Sequence, residues 1–380
     1  MKKIVFPYVE AGMGHIMPLK AVAEVFKKKY GDKVEVVETY FFRDQKNVKV
    51  IKVEEDFVRQ VKMHNRRKGW GAAQFFLLNF FGQRISLNYL YRNRYKYAYE
   101  SSLEYFKVLD ADLIFNTHFA TLYYSTEAKQ KGLINSKIVS YCPDPVIGNQ
   151  WDNRFDTMFV SSKNGIKIAN KSRSFKNTNV LYSPFTINPK VLEYKKTKEE
   201  YKKELGIDPN EFTILMCDGA YGAGKLEKNL TALLKLKEEF TVIVVTGKNE
   251  ELLERLKNIK VPKNIKMLLY GFTDKMLLLN AASDIFVGKS GASNLAEASY
   301  FGLPVIVTSQ ATKIEVWIAD YYINEVGNGQ LIKNTKKVIS TLQKYINNPK
   351  LIEPYIKASK KARVVDGPEV IADYLWESLQ

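Results

Sequence analysis

The chain has 380 residues, 46% of them hydrophobic and 26% charged, with 21 glycines and 12 prolines. At roughly 100 to 200 residues per domain this length favours two globular domains, and the composition excludes a collagen-like or wholly disordered chain. Fifty-eight Lys and Arg stand against 41 Asp and Glu, a net charge of +17, which points to a polyanionic partner: nucleic acid, an anionic membrane surface or a phosphorylated substrate.

The opening MKKIVFPYVEAG carries an apolar run that ends at Glu10, too short for the core of a signal peptide, and reads as a first strand. Short β-rich runs then alternate with amphipathic stretches, the pattern of βα units and a parallel sheet. In the first half the strands are predicted at Ile4 to Val9, Val34 to Thr39, Asp112 to Asn116, Lys137 to Tyr141, Thr157 to Ser161 and Asn179 to Tyr182. The second half repeats the scheme with Thr213 to Cys217, Thr241 to Thr246, Lys266 to Tyr270, Asp284 to Val287, Pro304 to Thr308 and Gly329 to Ile332. Between the halves lies a proline-containing charged run, Ser183 to Lys196, followed by Thr197-Lys-Glu-Glu200, a capping box that opens a short helix closing at Gly206. The domains are therefore expected at 1–190 and 191–380, with the last helix free to pack back on the first. Cys142 and Cys217 are far apart and fit neither a disulfide framework nor a thiolate zinc site, so a reducing cytosol is expected. The most apolar stretch, Ala72 to Phe81, is interrupted by Gln74 and Asn79, and no membrane span is expected.

Ligands of doubly wound sheets bind beyond the carboxyl ends of the strands. After the first strand comes Ala11-Gly12-Met-Gly14-His15, where the glycines permit a tight turn, the helix start offers N–H groups to an anion, and His15 is a candidate proton acceptor. The same turn also fits a histidine that merely caps the helix. His118 follows the strand ending at Asn116, and Asp144 follows the strand ending at Tyr141, with Trp151 and Asp156 downstream. These positions suit either catalysis or a hydrogen-bonded structural histidine and a turn aspartate. In the second half, Asp218-Gly219-Ala-Tyr-Gly222-Ala-Gly224-Lys225 matches part of a P-loop, but Leu226 stands where magnesium needs a hydroxyl. A metal-free cradle for a diphosphate fits better. Further on, Gly271-Phe272-Thr273 ends one strand, and Lys289-Ser290-Gly291-Ala-Ser293-Asn294-Leu-Ala-Glu297 leads from another into a helix. The first turn of that helix can hold phosphate, and Glu297, one turn in, can accept hydrogen bonds from a vicinal diol.

Positive charge concentrates between Arg59 and Lys107: ten Lys and Arg against Glu100 and Glu104, a net of +8, interleaved with Trp70, Phe75, Phe76, Phe80, Phe81, Tyr89, Tyr91, Tyr95, Tyr97 and Tyr99. Basic residues attract anionic lipid and aromatics enter the headgroup boundary, so peripheral membrane contact is expected and nucleic acid is not. A buried helix with a solvated basic face is the other reading of the same segment.

Taken together, the GMGH turn, His118, the Asp144, Trp151 and Asp156 run, the loop Asp218 to Lys225, the turn Gly271 to Thr273 and the KSGASNLAE block resemble the GT-B glycosyltransferases of the MurG, monogalactosyldiacylglycerol synthase and processive diacylglycerol glucosyltransferase group. The resemblance implies an α/β fold, GT-B, with two Rossmann-like doubly wound parallel-sheet domains facing an interdomain cleft. It implies an inverting transfer of a hexose from a UDP-sugar to a membrane lipid, diacylglycerol or a glycosyl-diacylglycerol, at the cytoplasmic face of the cell membrane, with no metal and no further cofactor. His15, His118 and Asp144 would then lie by the reacting hydroxyl. Gly12 and Gly14 would let the backbone approach a ligand; Gly219, Gly222, Gly224, Lys225, Lys289, Ser290, Gly291, Ser293 and Asn294 would surround the diphosphate, Gly271, Phe272 and Thr273 would lie by the uracil, and Glu297 would hold the ribose. Two departures stand out: Ala292 replaces the usual proline, and the donor-sugar element has no clean counterpart, which leaves Glu315 as its candidate. An enzyme with a soluble acceptor, a nucleotide-sugar epimerase and a non-catalytic nucleotide-sugar-binding protein remain the alternatives.

Overall fold

The structure is a computed structural model that describes the chain except residues 11–12, 67–82, 149, 172–174, 220–223 and 364–365, and the side chains of 13, 60–66, 83 and 84. The aromatic cluster Trp70 to Phe81 and the glycines Gly12 and Gly222 thus lie outside the described residues. Two compact units emerge, residues 1–189 with 364–380 and residues 190–363.

Each unit is built on a six-stranded parallel sheet. In the first, β1 (Lys3–Tyr8), β2 (Glu35–Tyr40), β3 (Leu113–Asn116), β4 (Lys137–Cys142), β5 (Thr157–Val160) and β6 (Asn179–Tyr182) lie in the order β2-β1-β3-β4-β5-β6. In the second, β7 (Thr213–Cys217), β8 (Phe240–Val245), β9 (Ile265–Tyr270), β10 (Ile285–Lys289), β11 (Val305–Ser309) and β12 (Gly329–Leu331) take the order β12-β11-β10-β7-β8-β9. These are the twelve predicted strands, with ends moved by a residue or two. Helices cover both faces, so the central strands are apolar throughout rather than alternating; every residue of β8, FTVIVV, is buried.

Strand order reverses between β1 and β3 in one sheet and between β7 and β10 in the other. At such switch points the loops leaving the two strands diverge to opposite faces and open a crevice at the carboxyl edge. Gly288 lets the second crevice close at its floor. A Cβ there would stand 1.9 Å from the Cys217 carbonyl oxygen on β7. Gly288→Ala is expected to force the two strands apart at a cost of about 1 to 3 kcal/mol, lowering the melting temperature in calorimetry.

The first core draws on both ends of the chain. Phe6, Leu19, Phe26, Phe115 and Tyr141 pack with Ile371, Ala372, Leu375 and Leu379, the last four carried by or just after the helix Gly367–Glu377. On the other face, Tyr91, Tyr95 and Tyr99 are buried with Phe41, Phe106 and Tyr124. This corrects the membrane reading of those three tyrosines: they are core. Tyr89 and Tyr97 are exposed, as are Arg94 and Lys96. No helix among the described residues is long and apolar enough to cross a membrane.

Candidate functional site

The first switch point gathers both strand-end histidines. His15 sits in the first turn of the helix Met13–Tyr30, and its Nδ1 lies 2.6 Å from the carbonyl oxygen of Thr117, the residue after β3. A carbonyl only accepts, so Nδ1 carries the proton and Nε2 keeps its lone pair. The contact is reciprocal, because the Thr117 hydroxyl donates to the His15 carbonyl at 2.6 Å. Burial lowers the His15 pKa below its ordinary value, with the Thr117 carbonyl pulling weakly the other way. The ring is therefore neutral near pH 7 and basic at Nε2.

His118 is held by a local bond that fixes its tautomer. It caps the helix Phe119–Gln130, its Nδ1 accepting from the Ala120 amide at 3.2 Å, which puts its proton on Nε2. That Nε2 is buried with no hydrogen-bond partner, and burial, then the neighbouring His15, hold its pKa well below the usual range. His118 is thus a neutral ring with a donor to offer and no lone pair available as a base. The two rings meet edge to face, centroids 4.9 Å apart, with Trp151 at 6.2 Å from His15. Asp144 is buried two residues beyond β4, one strand further along the same edge, and Asp156 is structural, accepting from Lys129 and the Ile138 amide at 2.8 Å each.

Sequence reasoning did not reveal the ion pairs made just after Trp151. Arg154 grips Asp152 through Nε at 3.0 Å and Nη2 at 2.6 Å, and reaches the Glu127 carboxylate at 2.8 Å. Burial alone would raise the Glu127 pKa; Tyr99, Arg92 and Arg154 outweigh it and hold the carboxylate ionised. Glu127 and Arg154 lie 27 residues apart with no local pattern, so only the alternation of acid and base around Trp151 hinted at the arrangement.

The second switch point is built from the loops after β7 and β10. Gly219 takes a positive φ of 77°, which turns the chain off the strand. The buried Asp218 carboxylate folds back over Gly224, where a Cβ would stand 2.2 Å from Oδ2, and accepts from the Leu226 amide at 2.8 Å. Asp218 thus satisfies an amide at the start of the helix Leu226–Leu233, and burial lifts its pKa to about 6. Lys225, expected at the diphosphate, sends its ammonium to the Lys333 carbonyl.

Lys289 ends β10 and pairs with Glu315 at 2.6 Å, both side chains largely buried. Glu315 was expected to meet the donor sugar. Instead its other oxygen accepts from the Ala311 amide at 2.6 Å and its carbonyl accepts from the Ser290 hydroxyl at 2.8 Å, so it fixes Lys289 and the loop. Gly291 caps the helix Ala292–Tyr300, whose first turn contains Ser293, with a buried hydroxyl lacking a partner, and Asn294, bonded to Cys217 Sγ at 3.6 Å. One turn deeper stands Glu297. It is nine-tenths buried, no described residue donates to its carboxylate, and burial raises its pKa to about 7. A buried carboxyl without a donor is costly unless something supplies one. Past the end of β9, the edge strand two places from β7, Phe272 is 58% exposed with the Lys248 ammonium 5.3 Å above its ring, beside Gly271 and Thr273. Its ring offers a flat face to a nucleobase. The site of Gly14 is open, with nothing near the position of a Cβ.

The chain is similar to known proteins. Residues 213–368 match the family model described as the glycosyltransferase family 28 C-terminal domain. That stretch begins at β7 and runs five residues past the end of the second unit, and the resemblance to the MurG and diacylglycerol glycosyltransferase group holds. Among curated proteins the chain is 30% identical over 183 residues to the UDP-N-acetylglucosamine–N-acetylmuramyl-(pentapeptide) pyrophosphoryl-undecaprenol N-acetylglucosamine transferase of Aquifex aeolicus, covering 45% of this chain and 50% of that protein. It is 26% identical over 202 residues to the processive diacylglycerol beta-glucosyltransferase of Bacillus subtilis, covering 53% and 52%. The matches thus span about half the length of these relatives. The fold as a whole is similar to the crystal structure of Acinetobacter baumannii MurG, with a TM-score of 0.62 at 15% identity over 99% of this chain and 100% of the other. The fold is GT-B, two Rossmann-like sheets in one chain.

Proposed function

We propose that the protein is an inverting glycosyltransferase that moves a hexose from a UDP-sugar to a membrane lipid, diacylglycerol or a glycosyl-diacylglycerol, at the cytoplasmic face of the membrane. The observation that carries this reading is Glu297, a buried carboxyl without a protein donor, one turn into a helix that follows Lys289. A ribose diol supplies the two donors such a group lacks, and the amides of the same helix start, with Lys289, favour the attached diphosphate. The curated relatives act on undecaprenol-linked and diacylglycerol acceptors by their names, which supports a lipid acceptor here.

In the first unit, His15 Nε2 removes the proton of the acceptor hydroxyl as its oxygen bonds to the anomeric carbon. The bond from that carbon to the β-phosphate oxygen breaks, and UDP leaves with its charge balanced by the helix dipole and Lys289. His118 Nε2–H is a donor to an oxygen at the same place. No step in this scheme calls on a metal.

The test is incubation with radiolabelled UDP-glucose, UDP-galactose and UDP-N-acetylglucosamine and extracted membrane lipids, followed by organic extraction. Label is expected in the organic phase from one donor; its absence for all three rejects the reading. In parallel the protein should sediment with anionic liposomes at low salt and release at high salt, since the attraction is screened.

A further inference from the structure

His15 stands in a turn that its own helix holds weakly. Gly14 precedes it with open space at the position of a Cβ, and Pro18, inside the same helix, has no N–H to return to the Gly14 carbonyl. The first turn of Met13–Tyr30 thus lacks one of its own hydrogen bonds and contains the residue with the freest backbone. A base placed there needs support from outside the helix.

One residue supplies it. Thr117, 1% exposed and the first residue past β3, meets His15 twice: its carbonyl oxygen accepts from the ring at Nδ1, and its hydroxyl donates to the His15 main-chain carbonyl, each at 2.6 Å. β3 pairs with β1, the strand that leads into the His15 helix, so the two loops leave neighbouring strands at the same edge. Thr117 is itself firmly seated. The next carbonyl along, that of His118, opens the helix Phe119–Gln130 by accepting from the Leu122 amide at 3.1 Å and the Thr121 hydroxyl at 3.0 Å. Ring and backbone of His15 are therefore tied to one anchored peptide, and neither moves without breaking a bond.

The side chain at this position can be dissected. Valine keeps the shape of threonine and the main-chain carbonyl and removes only the hydroxyl donor, whereas serine keeps the donor and loses a methyl group. A site that asked only for packing would accept valine better than serine.

We propose that Thr117 is a positioning residue for the base: its hydroxyl holds the first helical turn so that His15 keeps its proton on Nδ1 and presents the Nε2 lone pair to the acceptor hydroxyl. The inference rests on the transfer reading for its kinetic consequence but not for its spectroscopic one. Long-range proton–nitrogen NMR of protein carrying isotopically labelled histidine reports the tautomer directly. With three histidines in the chain, the His15 signals are those lost in His15→Ala. They should show the Nδ1–H form alone in the unsubstituted protein and in Thr117→Ser, and a mixture of tautomers in Thr117→Val. Each variant is checked by a thermal melt and by its affinity for UDP, which should not change. In transfer assays Thr117→Val should lower kcat about tenfold with both KM values unchanged, because a displaced base reacts less often without weakening binding, and Thr117→Ser should recover most of the loss.

A Thr117→Val protein with His15 wholly in the Nδ1–H form and full kcat overturns the proposal. So does a raised KM at unchanged kcat, or a Thr117→Ser variant as slow as Thr117→Val. Should Thr117→Val fail to melt cooperatively, Thr117→Ala and the unsubstituted protein carry the test: mixed tautomers are expected in the first, and an Nε2–H ring in the second overturns the proposal. Mixed tautomers in Thr117→Val, with no transfer by any of the proteins, support the clamp while rejecting the transferase reading.

Discussion

UDP should bind Glu297→Ala about a hundredfold more weakly than the unsubstituted protein in calorimetry, because two hydroxyl-to-carboxylate bonds are lost together. Unchanged affinity would remove Glu297 from the donor site. The pH dependence gives a second, independent reading. A carboxylate accepts from both ribose hydroxyls only when ionised, and burial sets this group at about 7. Donor affinity should therefore be full above pH 8 and fall as pH drops through 7, about tenfold per unit at the acid end, whereas Glu297→Gln should be flat. Stability without ligand runs the opposite way. The folded state keeps this proton up to about pH 7 while the unfolded chain loses it near 4.5, so the contribution is full below 4.5 and declines as pH rises to 7. The span is about 3 kcal/mol, and Glu297→Gln should abolish it.

His15→Ala should lower kcat by about 10² to 10⁴ while leaving the Kd for UDP unchanged, since the imidazole belongs to the first unit and the proposed nucleotide site to the second. Single-turnover kinetics with saturating donor would separate the two. The lowered pKa of His15 places the acid limb of kcat/KM below 6.5, with activity lost as pH falls through it. A His15→Ala enzyme that retains full kcat would remove His15 as the base.

The sheets were legible because buried parallel strands must be apolar on both faces: Phe240 to Val245 and Ile285 to Val287 admit no other reading. The KSGASNLAE block was legible because strand end, loop and helix start are contiguous. What escaped was one local bond, at His118, and several arrangements made across long separations. His118 was readable as a strand-end histidine, but its tautomer depends on a bond to Ala120 set by the local backbone. Glu315 looked available for a sugar because its partner Lys289 is 26 residues away. Lys225 matches a P-loop lysine in spacing, yet its bond to Lys333 spans 108 residues. Tyr91, Tyr95 and Tyr99 resembled membrane anchors because a basic helix with regularly spaced aromatics looks alike whether the rings face lipid or a core. The same holds for Thr117, an unremarkable residue until the ends of β1 and β3 come side by side.

The helix Gly367–Glu377 has a consequence for the order of assembly. Gly367 is pressed against the Pro184 and Phe185 carbonyls, where a Cβ would meet oxygen at 2.4 and 2.8 Å, and Ile371, Ala372 and Leu375 fill the core beneath β1 and β4. During synthesis the continuous second unit can close as soon as residue 363 has emerged, whereas the first waits, its apolar face open, for residues made last. The part of the chain translated first is thus the last to finish folding, and a ribosome that stalls between the two leaves a complete second unit tethered to an unfinished first one.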